Sequence, residues 1–177
     1  NLFGFLKFYK SVRSKGIKPI AGAEINHVRD SSSHNEYANL TLIAKNQLGY
    51  KNLIKLISKS QIVGKTSGIP VIETEWLAEH SDGLIALSGG FRGHIGKAVL
   101  DTNHDLFLKR IKYFQKIFKE DFILEISRIN RPQEDIYNDY ILSKAGELGL
   151  PVVASNEVRF IDKEDYEAHE TRVCIQK

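Results

Sequence analysis

The chain has 177 residues, 42% of them apolar and 27% charged, with a net charge of +3. That is enough length and the ordinary composition for one soluble globular domain, and the mild basicity does not by itself call for a nucleic-acid partner. A single cysteine, Cys174, excludes an internal disulfide and fits a reducing, cytoplasmic compartment, while no signal-peptide pattern and no apolar run near the roughly 20 residues of a membrane span is present. The chain starts at Asn1, holds no methionine and ends in "AHETRVCIQK", an amphipathic helix without a stop signal, so it reads as a piece of a longer polypeptide.

Residues 2–14 read as a helix, with Leu2, Phe5, Phe8, Tyr9 and Val12 on one face and Gly16 as its stop. "IKPIAGAEI" is a short strand, "VRDSSSHNEYA" a polar loop and "NLTLIA" a second strand. "NQLGYKNLIKLISKS" is a helix with Leu48, Leu53, Leu56 and Ile57 in phase, followed by a loop, "VGKTSGIP". "TEWLAEH" is a short helix and "GLIALSG" a buried strand, and "GFRGHIGKAVL" passes from a glycine-rich turn into another helix. Residues 104–119 give the clearest helix. Leu106, Phe107, Ile111, Phe114, Ile117 and Phe118 form its stripe, opposite Lys109, Lys112, Lys116 and Lys119. "FILEIS" is a strand, "RPQEDIYNDYILSKAGELGL" a long helix, and Leu150–Val153 a last strand, buried because it is short, apolar and β-branched. Strand and helix alternate, which predicts an α/β domain over residues 1–177 with parallel strands and helical crossovers, as an open doubly wound sheet or a barrel.

The glycine-rich run "LSGGFRGHIGK" fails as a phosphate loop. Phe91 stands five residues before Gly96 where glycine is required, and Ala98 follows Lys97 where Ser or Thr is required. A tight strand-to-helix turn is the plainer reading. The histidines His27, His34, His80, His94, His104 and His169 show no ligand spacing, and a surface or capping role suits each. The lysine stripe reads as a solvated helix face, and Cys174 as a core residue. The acids differ. Glu24, Glu125 and Glu157 sit on or just after three separate strands and can converge at one end of a parallel sheet. In "ASNEVRF", Glu157 and Arg159 are two apart and point the same way if the strand geometry continues.

The runs "NLFGFLKFY", "GIKPIAGAEI", "NLTLIAKNQLGYKNLIKLISKS", "GLIALSGG", "LEISRINRPQEDIYN" and "LPVVASNEVRFIDKEDYEAHE" resemble the amino-terminal PHP (polymerase and histidinol phosphatase) domain of bacterial DNA polymerase III alpha subunits. The resemblance covers nearly the whole chain. It implies a distorted PHP-type β/α barrel, incomplete at the N-terminus, with a metal site at the carboxyl ends of its strands. Two of the family's ligand motifs would lie before Asn1. The acid of "GAE" is kept as Glu24, but a ligand His is Asn39, a frequent Cys is Gly90, and the last Asp-x-His is Glu157 and Arg159.

From this the resemblance implies a vestigial metal site with no bound metal and no catalytic residues, in a structural domain that docks the proofreading exonuclease subunit. The full chain would carry nucleotidyl transfer, with Mg at its polymerase site, contact DNA through other domains and join further holoenzyme subunits. The alternative is an active metal-dependent 3'-5' exonuclease or phosphoesterase. Arg159 is expected to replace the lost cation by an ion pair, at least partly buried, with Glu24, Glu157 or both.

Overall fold

The computed structural model describes residues 2–28, 37–66 and 68–175. In chain order the elements are α1 (Phe5–Ser14), β1 (Gly22–Val28), β2 (Tyr37–Ala44), α2 (Gln47–Ile62), β3 (Lys65–Thr66), β4 (Ile69–Pro70) and β5 (Ile72–Glu73). Then follow α3 (Thr74–Glu79), β6 (Leu84–Leu87), α4 (His94–Leu100), α5 (His104–Phe118), β7 (Phe122–Ile126), α6 (Glu134–Leu148), β8 (Val152–Ala154) and α7 (Tyr166–Ile175). Six strands form one sheet in the order β5-β1-β2-β6-β7-β8, and β3 pairs with β4 inside the segment read as a loop. Most of the predicted polar loop, residues 29–36, lies outside the described residues, as does His34.

The sheet is mixed rather than parallel throughout. β2 runs antiparallel to both β1 and β6, while β5/β1, β6/β7 and β7/β8 are parallel. The physical reason lies in the connection. Residues 29–36 are fewer than the dozen or so needed for a parallel crossover, so β1 and β2 pair head to tail.

Alternation along the strands sends Ala23, Ile25, Leu40, Leu42, Leu84, Ala86, Phe122 and Leu124 into the core. The helices meet them with Leu53 and Leu56 of α2, Ile95 and Ala98 of α4, and Tyr137 and Ile141 of α6. α5 delivers its stripe as read: Phe107, Ile111, Phe114 and Phe118 are buried, with Leu106 and Ile117 packed at the margin. Asparagine caps start two helices. Asn46 accepts from the Gly49 N–H and Asn103 from the Leu106 N–H, each at 2.9 Å.

Four expectations need correction. Leu48, read in phase with Leu53, is exposed: at 3.6 residues per turn five residues set it about 140° round the helix from Leu53, whereas Gly49, four before Leu53, is buried. The strand around Leu150–Val153 is only half-buried, because among the described residues β8 is an outer strand flanked by β7 alone. The long helix begins at Glu134, three residues after Arg131, because Pro132 and the left-handed Gln133 (φ +64°) hold the chain in a turn first. Cys174 is exposed, since α7 buries none of its residues; indeed no residue from Pro151 to Ile175 is buried.

Candidate functional site

The same alternation that builds the core presents polar residues on the other face of the sheet. Between the buried Ala23 and Ile25 of β1 stands Glu24, and between the buried Ala38, Leu40 and Leu42 of β2 stand Asn39 and Thr41. Pairing sets Glu24 opposite Thr41, and Thr41 opposite Leu87 of β6. On this face, at the carboxyl ends of β6, β7 and β8, lies a cleft of about 300 Å³. All five positions singled out in the sequence line it: Glu24, Asn39, Gly90, Glu157 and Arg159. Glu125 lines it too, so the three acids meet in one cleft.

The glycine-rich turn after β6 shapes one wall. Gly89 has φ +77°, and a Cβ there would overlap the Asn39 carbonyl. Its N–H donates to Glu125 Oε2 at 3.1 Å, and the Glu125 N–H donates to Ser88 Oγ at 2.9 Å. The run is a tight strand-to-helix turn whose amide is taken up by a carboxylate. Asn39 lies across from it and donates its side-chain amide to Glu24 Oε1.

Charge in the cleft centres on Glu157. Its Oε2 is approached by Arg131 Nη2 at 2.7 Å, Arg92 Nη2 at 3.2 Å and Arg159 Nη2 at 3.3 Å. Arg159 Nη2 also stands 3.9 Å from Glu24 Oε2. Burial pushes the Glu157 carboxyl up, but the hydrogen bond from Arg131 and the charges of Arg92 and Arg131, with a weaker bond from Arg159, outweigh it. The group lies below its ordinary value of 4.5. Arg159 therefore meets both predicted acids, but its side chain is 41% exposed, against 25% for Arg131. The expected partial burial holds for Glu157, 29% exposed, and not for Arg159, which follows the outer strand, whose surroundings are open on one side.

Arg92 and Arg131 were not singled out in the sequence. Both follow parallel strands at their carboxyl ends, the position where α/β sheets gather functional side chains, and that was the available signal. Arg131 is set in place by Glu134. This buried carboxylate accepts from the N–H groups of Ile129 at 2.8 Å and Asn130 at 3.0 Å and from Ser127 Oγ at 2.9 Å. Burial pushes the Glu134 carboxyl up, and the backbone bond from Ile129, the Ser127 hydroxyl and further backbone bonds hold it below its ordinary value.

The PHP domain family matches residues 1–129. The chain belongs to the PHP domain family. It is also 45% identical over 175 residues to a DNA polymerase III subunit alpha of Vibrio cholerae, covering 99% of this chain and 15% of the relative. The corresponding subunits of Escherichia coli K12 and Pseudomonas aeruginosa are 42% and 39% identical, with the same shares of each chain covered. The chain thus spans about 15% of the length of the curated relatives it matches.

The residues this PHP domain brings to the cleft do not fit a metal centre. Oε2 of Glu157 already accepts from guanidinium groups, Asn39 turns a donor rather than an acceptor toward Glu24, and Gly90 has no side chain. Among the described residues no group of three or more His, Cys, Asp or Glu side chains is arranged to hold a metal ion.

The histidines divide. His80 ends α3 at its C-cap, and His104 meets the Tyr140 hydroxyl at 2.6 Å on the surface. His27 and His94 are buried, against expectation, with rings 5.1 Å apart and His94 Nε2 3.0 Å from the His27 carbonyl oxygen. They fill space beside Phe114, where the sheet meets α5. Lys109, Lys112, Lys116 and Lys119 are exposed, as the helix pattern predicts.

Proposed function

We propose that this PHP domain is a catalytically inactive structural and docking module of a DNA polymerase III alpha chain, in which arginine has replaced metal. The observation that carries this reading is the convergence of Arg92, Arg131 and Arg159 on one oxygen of Glu157. A metal ion in such a cleft neutralises the carboxylates that hold it. Without one, clustered acids repel each other and raise their own pKa values. Three guanidinium groups supply that positive charge here, and arginine keeps its charge throughout the physiological pH range. They also oppose the entry of a divalent cation, and the alternative of a metal-dependent 3'-5' exonuclease or phosphoesterase lacks the donors it needs.

In this reading the sheet belongs to the distorted α/β barrel of the family. The full polypeptide acts in the cytoplasm, carries out nucleotidyl transfer with Mg at a separate polymerase site, and reaches DNA through other domains. The proofreading exonuclease subunit and other holoenzyme subunits assemble on it. The names of the relatives, DNA polymerase III subunit alpha, support this context.

Elemental analysis of the full-length polypeptide after mild dialysis tests the central point. The expected result is no stoichiometric zinc or manganese attributable to this cleft. A tightly bound ion that disappears on Glu24→Gln overturns the reading.

A further inference from the structure

Beyond β8 the chain builds a small unit of its own. Residues 155–160 belong to no helix or strand. Phe160 then packs on Tyr166 and His169, with ring centres 6.0 and 5.6 Å away. The side chains of Asp162 and Asp165 each accept from the other's backbone N–H, and Thr171 Oγ1 donates to the Glu167 carbonyl at 2.8 Å. All of these contacts are internal to residues 160–175. The ties to the rest of the domain are different in kind. The β8 ladder ends with the Ser155 N–H on the Ile126 carbonyl. Past it, among the described residues, the hydrogen bonds and ion pairs back to the body are those of Glu157 with Arg92 and Arg131, and of Arg159 with Glu24. Val158 and Ile161, on either side of Arg159, are well exposed, so little apolar packing backs up the charges there.

We propose that Glu157 is the ionic latch of a hinge: residues 160–175 swing as one folded body about residues 156–159, and the pairs with Arg92 and Arg131 hold that body in place. The two arginines come from different connections, one after β6 and one after β7, so the latch fastens to two walls of the cleft. All three side chains are partly solvated. Pairs of this kind weaken as salt screens them, whereas apolar packing does not. Ionic strength therefore sets how firmly the direction of α7 is fixed. Opening is made easier by Arg159, which sits on the moving segment 3.3 Å from Glu157 Oε2. The released carboxylate keeps a cation beside it. Local melting of residues 160–175 would give up the ring contacts and the paired caps as well, and the hinge motion keeps both.

The latch rests on the arginine cluster of the proposed reading, yet a bound metal is reported by elemental analysis and a failed latch by cleavage, so the two fail separately. Trypsin cuts after Arg159, inside the hinge. In the full-length polypeptide this cut is followed by mass spectrometry and normalised to the rate of trypsin on an unstructured peptide at the same salt. It should quicken between about 0.05 and 0.5 M salt. Glu157→Gln should raise it about fivefold at low salt and flatten its salt dependence, because cleavage tracks the population of the open form. Glu147→Gln, which removes the partner of Lys144 on α6, should change neither. Hydrogen exchange of the α7 amides in Glu157→Gln should match the parent, as expected of a body that moves without unfolding. Cleavage indifferent to salt and to Glu157→Gln overturns the proposal, since the unit is then held by other parts of the polypeptide. Faster exchange across α7 in Glu157→Gln overturns it too, since the unit then melts rather than swings.

Discussion

A carboxylate oxygen has room for more than one donor, and Glu157 shows how unequal those donors are. Arg131 is both the nearest and the least exposed of its three partners. Arg131→Ala should therefore cost about 1–2 kcal/mol, as for a partly shielded hydrogen bond to a charged group. Arg159→Ala should cost about 1 kcal/mol or less, because its pair is well solvated. Urea unfolding of the purified chain ranks the two, and a larger loss for Arg159→Ala contradicts the assignment. The pH dependence has a definite sign. The folded pKa of Glu157 lies below its unfolded value, so the unfolded chain holds more protons in the window between them. Its contribution is fully present above about pH 4.5 and is lost as pH falls through the folded pKa. The drop in urea midpoint below pH 4.5 should be shallower in Glu157→Gln than in the parent chain. Parallel curves for the two would remove Glu157 from the account.

Elements differ in how plainly the sequence announces them. α5 was legible because its period and its burial agree, from Phe107 through Phe118. The turn at Gly89 was legible as a turn, yet its use was not: only the fold brings Glu125 from the next strand to its N–H. Gly89→Ala should destabilise by more than about 1 kcal/mol, since the position combines positive φ with a clash against backbone. A thermal melt unchanged by this substitution would show that the turn can relax.

The direction of β2 departs from the expected parallel one, because alternation of elements says nothing about a connection too short to cross over. The burial of β8 departs from expectation for a related reason. Val152 and Val153 have the side chains of a buried strand, but burial also needs a neighbour on each side. Of the site, the strand residues Glu24, Asn39 and Glu125 could be read from the sequence. Arg92 and Arg131 come from connections whose direction depends on turns such as the one Glu134 holds together.

At the scale of the molecule the cleft gathers three acids, Glu24, Glu125 and Glu157, and three bases, Arg92, Arg131 and Arg159. That balance explains why point repairs should not recover metal chemistry. Asn39→His, Gly90→Cys, Glu157→Asp and Arg159→His together still leave Arg92 and Arg131 beside the acids, and force a side chain onto the positive φ of Gly90. The quadruple variant is expected to show no metal-dependent release of nucleotides from a labelled oligonucleotide. Robust cleavage by it would mean that the two remaining arginines are compatible with a working centre.

The stretch from Pro151 to Ile175 that buries nothing is joined to the rest through β8 and the Glu157 cluster. Its main-chain links to β7 include Leu124 N–H to the Pro151 carbonyl and Ser155 N–H to the Ile126 carbonyl, each 2.9 Å. A pull applied at α7 therefore loads the ion pairs and the outer-strand ladder, with Val152 at the core's margin, before the fully buried side chains. Under a pull directed across the strands this end of the domain yields one rung at a time, as a short compliant leash. The packed body beneath it stays stiff until the leash is fully drawn out.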